Sequence, residues 1–382
     1  MKKKILIIIN VDWFYISHFK KLGERIISNG YELHLATEFT GNYKILKKHG
    51  IVLHKINLSR SSSSLISEIR TFVSILIIIL KVNPSIIQLF TIKAVLYGGL
   101  CARIIGFKNL IPYITGLGYL FTDGNNLSKV KFWLLKQFYK LSIDINGINL
   151  ICENKYDLNF LKKIIIGKSA NMVDYHLIPG AGVNLEEFKY LPLPNGVPIV
   201  VLPARMLWQK GVQEFVDAAR ILRSQKVKAR FCLVGCSDSD NPSSIPKEKI
   251  DEWKKENIVE IWGHRSDMPL VMSSASIIVL PSYREGMPKT LLEASACGRA
   301  IVATDVPGCR DAVVENKTGL IVPVRNAIDL AKSIKNLIDN PSLLNSMGAS
   351  GRSHAEQFFS ILHTTSLNIK VFESILNRDE VF

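Results

Sequence analysis

The sequence predicts an α/β protein built from two doubly wound domains, and three observations carry that expectation. Short aliphatic runs alternate with helical patterns along the whole chain, the pattern of a parallel sheet covered on both faces. At 382 residues the chain is about twice a common domain length. Near its middle lies Tyr190-Leu-Pro-Leu-Pro-Asn-Gly-Val-Pro198, whose prolines can continue neither a helix nor a central strand. The expected division is residues 1–190, residues 198–345, and a C-terminal segment 346–382, with helical pattern over about Leu343 to Asn377.

The elements follow in order. Lys4–Ile9 and Tyr31–Ala36 read as strands, with a helix over Ser17–Ser28 between them and Asn29-Gly30 marking the return. Further strands are expected at Ile51–Ile56, Ile86–Phe90, Leu110–Ile114, Leu150–Cys152 and Tyr175–Ile178. After the break they resume at Ile199–Pro203, Arg230–Val234, Val259–Ile261, Ile277–Leu280, Ala300–Ala303 and Gly319–Val322, with a helix over Val212–Ser224. The one low-complexity tract is Ser61–Ser64. Such sheets bind ligands beyond the carboxyl ends of their strands, so two facing each other would enclose a cleft.

Composition narrows the class further. With 47% hydrophobic and 21% charged residues the chain is no disordered polymer. Six scattered cysteines without a Cys-x-x-Cys pair point away from disulfides and zinc, and toward a reducing compartment. The first apolar run stops at Asn10, too soon for a secretion signal. Phe72–Leu80 is likewise too short to span a bilayer, which takes about 20 residues. Residues 1–190 hold 25 Lys+Arg against 12 Asp+Glu, whereas residues 191–382 hold 23 against 21. A basic first half calls for an anionic partner, or simply keeps the protein in solution.

Two loops carry chemistry. Ile277–Leu280 runs into Pro281-Ser-Tyr-Arg-Glu-Gly-Met-Pro-Lys-Thr-Leu-Leu-Glu-Ala-Ser-Ala-Cys-Gly298. There Pro288 suits the first position of a helix and Gly298 its stop. First-turn amides from Met287 to Thr290 would form an anion site, with Glu285 before the helix and Glu293 on its second turn. Amides receive phosphate oxygens and carboxylates receive hydroxyls, and a nucleotide-sugar offers both; a capped surface helix with incidental acids is the plainer alternative. The second loop, Ala204-Arg-Met-Leu-Trp-Gln-Lys-Gly211, brings Arg205 and Lys210 to the end of a strand. These two cations could neutralise a diphosphate, or could be a solvated basic turn.

With these residues in view, the chain resembles the family 4 retaining glycosyltransferases of GT-B fold. Arg-Glu-Gly-Met-Pro-Lys-Thr-Leu-Leu-Glu-Ala, with Glu285 and Glu293 eight apart, is similar to that family's signature. So, in order, are Pro179–Phe188, Ala204–Gly211, Gly263-His-Arg-Ser-Asp267 and Ala303-Thr-Asp-Val-Pro-Gly308. The N-terminal half resembles a capsule and O-antigen branch that includes bacterial transferases of GalNAc to undecaprenyl-diphosphate-linked sugars. Asn10–His18, Ile114-Thr-Gly-Leu-Gly-Tyr-Leu-Phe121 and Glu153–Asp157 carry that likeness.

The resemblance implies transfer of a hexose or N-acetylhexosamine from a UDP-sugar to a lipid-diphosphate-linked glycan, with retention and without a metal or other cofactor, and a C-terminal helical segment that crosses back to the N-terminal domain. Arg205 and Lys210 would hold the diphosphate. Glu285 would meet the donor sugar with the amides of Gly286, Met287, Pro288's neighbour Lys289 and Thr290. Glu293 would hold the ribose, and Gly263, His264 and Arg265 would border the base. Many members place a histidine after the strand that aligns with Leu110–Ile114; here Thr115 stands there, so that base is missing, while Gly116 and Gly118 would let the loop approach closely. His18 is the nearest substitute, and Asp12 either meets the acceptor or caps the following helix. A sugar-nucleotide epimerase and a non-catalytic nucleotide-binding scaffold are the alternatives. No stacking platform or recognition helix supports a nucleic-acid binder.

Lys129–Lys140 forms a helix on which Lys129, Lys136, Lys140 and Trp133 share one face, while Leu134, Leu135 and Phe138 read as core. The basic, Trp-bearing face suits an anionic lipid surface, with a solvated helix as the alternative. The expected location is cytoplasmic, peripheral on the inner membrane.

Overall fold

The computed structural model describes residues 2–58, 65–117, 129–145, 147–165, 173–238 and 241–378, with the side chains of 129–132 and 164–165 set aside. Ser61–Ser64, Gly118 and the rest of the loop to Phe121 lie outside these residues, as does the Lys129 side chain. The chain forms two compact units, residues 1–181 with 364–382 and residues 182–363.

The first unit is a seven-stranded sheet: β1 Lys4–Val11, β2 Glu32–Glu38, β3 Val52–Lys55, β4 Ile86–Phe90, β5 Leu110–Ile114, β6 Asn149–Cys152 and β7 Asp174–Leu177. Its order is β3-β2-β1-β4-β5-β6-β7 and its pairings are parallel. The apolar run in β1 is continuous because it serves two cores. Ile5, Ile7 and Ile9 join Tyr15, Phe19 and Phe90 on one face, whereas Leu6 and Ile8 join Ile75, Ile79 and Tyr139 on the other. Two-residue alternation buries both sets.

The second unit has β8 Ile199–Pro203, β9 Arg230–Val234, β10 Glu260–Gly263, β11 Ile277–Leu280, β12 Ala300–Thr304 and β13 Gly319–Val322. The order β10-β9-β8-β11-β12-β13 is again parallel. Both sheets are thus doubly wound, as the alternating pattern predicts. Every expected strand forms, with ends shifted by at most two residues.

Several boundaries differ from expectation. The units divide after Ala181, and the proline-rich stretch lies within the second unit. There the fully buried Arg299 donates to the Pro192 carbonyl and to those of Met272 and Ser273. The C-terminal helices divide between the units, and residues 364–382 return to the first, as the resemblance implies. Pro341–His354 packs Leu344 and Met347 into the second core, whereas Ile361–Arg378 places Phe372 and Ile375 in the first. Asn368 accepts from Gln88 on β4 at 3.0 Å. The helix after β1 begins at Asp12 rather than Ser17 and contains a π turn, Tyr15–Phe19.

On the helix Lys129–Ile143 the expected core face is also wrong. Tyr139, Ser142 and Ile143 are buried with Leu135 packed beside them, whereas Leu134 and Phe138 are exposed together with Trp133 and Leu141.

Candidate active site

The second sheet reverses its winding between β8 and β11, and a parallel sheet opens for ligands at such a point. The two loops singled out in the sequence leave these two strands. Their backbones are fastened together. The amide of Tyr283 donates to the Gln209 carbonyl at 2.9 Å, and Thr290 Oγ1 donates to the Pro203 carbonyl at 3.3 Å. Gly211, at φ +69°, lies so close to Pro281 that a Cβ would come 2.1 Å from its carbonyl oxygen. A side chain is excluded there both by space and by conformation.

Within this junction Lys210 Nζ lies 2.5 Å from Glu285 Oε1, with side-chain exposures of 21% and 11%. The two residues expected to take diphosphate and sugar therefore pair directly, both largely shielded from solvent. Arg205 is engaged elsewhere: its Nη1 meets Asp238 Oδ2 at 2.7 Å on the exposed loop after β9. Asp238 carries no sequence signal, because only the parallel pairing of β8 with β9 brings it near.

The helix Lys289–Ala296 begins one residue later than expected. Pro288 is its extended N-cap, and the first helical residue is Lys289. The amides of Lys289 and Thr290 open it without an acceptor in the preceding turn, which gives the junction a positive helix end. Gly298 ends the helix at φ +67°, with Gly298 N bonded to Ser295 O and Arg299 N to Ala294 O, a Schellman closure. Glu293 is buried on this helix, with Lys289 Nζ 3.1 Å away. Burial pushes its carboxyl pKa above the usual range, and Lys289 opposes the shift without cancelling it.

Two supports were not visible in the sequence. Tyr283 donates its hydroxyl to Glu214 Oε1 at 2.6 Å beneath the guanidinium of Arg325, 4.7 Å from the ring centre. Burial and that carboxylate push the phenol up to about 12. Gly308, after β12, lies against the turn at Glu285-Gly286, where a Cβ would stand 2.2 Å from the Gly286 carbonyl oxygen.

The remaining expected residues are dispersed. Gly263, at φ +68°, accepts from Gly235 N at 2.8 Å at the end of β10. His264 is exposed, and Arg265 forms a fork to Asp267 at 2.7 and 2.5 Å. Asp12, His18, Thr115 and Gly116 belong to the first unit. Asp12 is not a helix cap, since Val11 holds that position. Instead it is fully buried and accepts from Thr40 N at 2.9 Å, Asn42 N at 3.0 Å and Thr40 Oγ1 at 2.5 Å. Burial acts to raise its pKa, but these donors outweigh it and hold the carboxyl below its usual range. His18 lies in the π turn, with Ser17 Oγ 2.6 Å from Nδ1 and its ring 4.2 Å from Phe14. Thr115 and Gly116, at φ +115°, follow β5, and the amide of Leu117 donates to Asp157 at 3.3 Å. Among the described residues no group of three His, Cys, Asp or Glu side chains could hold a metal ion.

Two Rossmann-like parallel-sheet units, each with a switch point where a ligand is received, are the architecture of the GT-B glycosyltransferases. The chain belongs to these enzymes: residues 183–354 match the family "Glycosyl transferases group 1" and residues 4–154 match "Glycosyl transferase 4-like". It is 29% identical over 327 residues to the N,N'-diacetylbacillosaminyl-diphospho-undecaprenol α-1,3-N-acetylgalactosaminyltransferase of Campylobacter jejuni, covering 82% of this chain and 83% of the relative. It is 26% identical over 318 residues to the capsular polysaccharide biosynthesis glycosyltransferase CapM of Staphylococcus aureus, covering 81% of each. Among solved structures, Anabaena HepE in complex with UDP superposes with a TM-score of 0.75 at 17% identity, over 98% of this chain and 100% of that one.

Proposed function

We propose that this glycosyltransferase moves a hexose or N-acetylhexosamine from a UDP-sugar to a lipid-diphosphate-linked glycan, with retention of anomeric configuration. The observation that carries the donor half is the Lys210–Glu285 pair beside the opening amides of Lys289–Ala296. Breaking the anomeric C–O bond leaves charge on the β-phosphate, and preorganised cations and amides stabilise charge where it develops. Lys210 and Arg205 turn from their carboxylate partners to the diphosphate. Glu285, released from Lys210, accepts hydroxyls of the donor sugar beside Gly286, Met287, Lys289 and Thr290, and Glu293 accepts the ribose hydroxyls. The loop Gly263–Arg265 borders the base. The acceptor hydroxyl attacks from the leaving-group side and the departing phosphate takes its proton, so neither a metal nor a histidine base is required. The acceptor class rests on the Campylobacter relative, whose name specifies a diphospho-undecaprenol sugar.

Features of the first unit support membrane contact. The helix Leu65–Val82 buries Thr71, Ile75 and Ile79, yet exposes Ile66, Ile69, Val73, Ile77 and Leu80 along the opposite side. An apolar stripe on the exposed side as well as on the buried one suits apolar surroundings on both. Exposed Arg70 and Lys81 on the same helix, and Trp133 on Lys129–Ile143, suit anionic headgroups. Among the described residues no helix is long and apolar enough to cross a membrane. A peripheral position on the cytoplasmic leaflet fits these features.

The test is a panel of UDP-sugars against a synthetic lipid-diphosphate acceptor, with Lys210→Ala and Glu285→Ala beside the wild type. Removing the cation should cost about 10²–10³ in kcat. Unaltered turnover in Lys210→Ala would reject the phosphate assignment. Unchanged partitioning onto anionic vesicles after neutralising Lys129, Lys136 and Lys140 would discard that helix as an anchor.

A further inference from the structure

The first sheet has a switch point of its own, between β1 and β4, where an open parallel sheet receives ligands. These strands pair from Ile5↔Ile86 to Ile8↔Leu89. Two residues further along each chain are Asn10, near the end of β1, and Thr91, just after β4. Carried on by two residues, this parallel register would set Asn10 level with Thr91 at the carboxyl ends of the two strands.

Both are anomalous in the same way. Asn10 is 6% exposed, yet its Oδ1 has no hydrogen-bond partner among the described residues, and neither does the buried Oγ1 of Thr91. Buried polar atoms are nearly always satisfied, and an orphan weakens the fold. Thr91 also holds φ 74° and ψ 157°, a region costly for any residue with a Cβ. It is the N-cap of the helix Ile92–Ile105, but its hydroxyl makes no capping bond. The pairing of β1 with β2 slips between Ile8 and Val11, and such bulges re-aim side chains beside functional sites. Asp12, two residues on, is by contrast fully satisfied.

We propose that Asn10 and Thr91 form a subsite for a sugar ring of the acceptor glycan, an inference that rests on the acceptor class given above. An amide oxygen seeks a donor, a threonine hydroxyl both donates and accepts, and the opening amides of Ile92–Ile105 donate. An anion could use only the donors. Neighbouring hydroxyls of a sugar use all of them, one donating to Asn10 Oδ1 and its neighbour accepting from Thr91.

Thr91→Val and Asn10→Leu remove the unpaired atoms at nearly constant shape, and the full-length protein is assayed for transfer and melting. The acceptor KM should rise tenfold or more, the UDP-sugar KM should stay within twofold, and Tm should hold or increase. Thr91→Ser should keep the wild-type acceptor KM. An unchanged acceptor KM overturns the subsite, and so does a fall in Tm with both KM values rising. Should the wild type transfer nothing to any lipid-diphosphate acceptor, the functional reading fails separately. The subsite is then decided by methyl glycosides: a rise in wild-type Tm that Thr91→Val abolishes supports it, and no rise overturns it.

Discussion

The amide of Tyr283 donates to the carbonyl of Gln209 at 2.9 Å, which joins the loop carrying Lys210 to the loop carrying Glu285. The Lys210–Glu285 contact at 2.5 Å lies one residue past Gln209 and two past Tyr283. Its geometry is therefore set by backbone as well as by charge. The Tyr283 hydroxyl adds a second fastening through Glu214.

Tyr283→Phe tests that fastening. It leaves Glu214, whose Oε2 already lacks a partner, without a donor on Oε1. The expected loss is about 1–3 kcal/mol of stability, with kcat reduced severalfold and the UDP-sugar KM little changed. Thermal melting and initial rates measure the two effects.

On the proposed function, Asp238 competes with the donor diphosphate for Arg205. The pair is largely exposed, and such pairs contribute about 0.2–1 kcal/mol. Asp238→Asn should release the guanidinium and tighten UDP binding by up to about fivefold, without loss of stability. Titration calorimetry with UDP gives the answer, and a weaker complex would show that Asp238 orients Arg205 instead.

Gly308→Ala forces a Cβ onto the Gly286 carbonyl oxygen. Overpacking costs about 1–3 kcal/mol, and here the yielding element is the turn beside Glu285. Transfer should fall at least tenfold while far-ultraviolet circular dichroism stays native. Wild-type rates in this variant would show that the turn shifts freely.

The pH dependence of stability follows from Glu293. Its folded pKa is raised by burial above the ordinary 4.5, so the folded state holds the proton more tightly than the unfolded chain. The stability this lends is fully present below about pH 4.5 and is lost as pH climbs through the raised value. Glu293→Gln should remove that decline, giving a flatter Tm profile between pH 4 and 8 and weaker UDP-sugar binding. An equally steep profile in the variant would assign the slope to other groups.

The strands were legible because burial on two faces demands unbroken aliphatic runs, and Ile5–Ile9 or Ile277–Leu280 permit little else. The order of Glu285, Gly286, Pro288 and Glu293 was legible too, since a strand–loop–helix unit places its chemistry at fixed offsets. The helix ends were not, because Pro288 fits a cap as well as a first turn. Nor was the exposed side of Lys129–Ile143, where Leu134 and Phe138 have the composition of a core without its position.

Sequence alone therefore determined what is local: strand sites, the candidate loops, and which residues could bear charge there. Tertiary structure decided the partners. Parallel strands meet only through long crossovers, so the neighbours Lys210 and Glu285, or Arg205 and Asp238, are many residues apart in the chain. No spacing rule connects them, and pairing by sheet order alone brings them together.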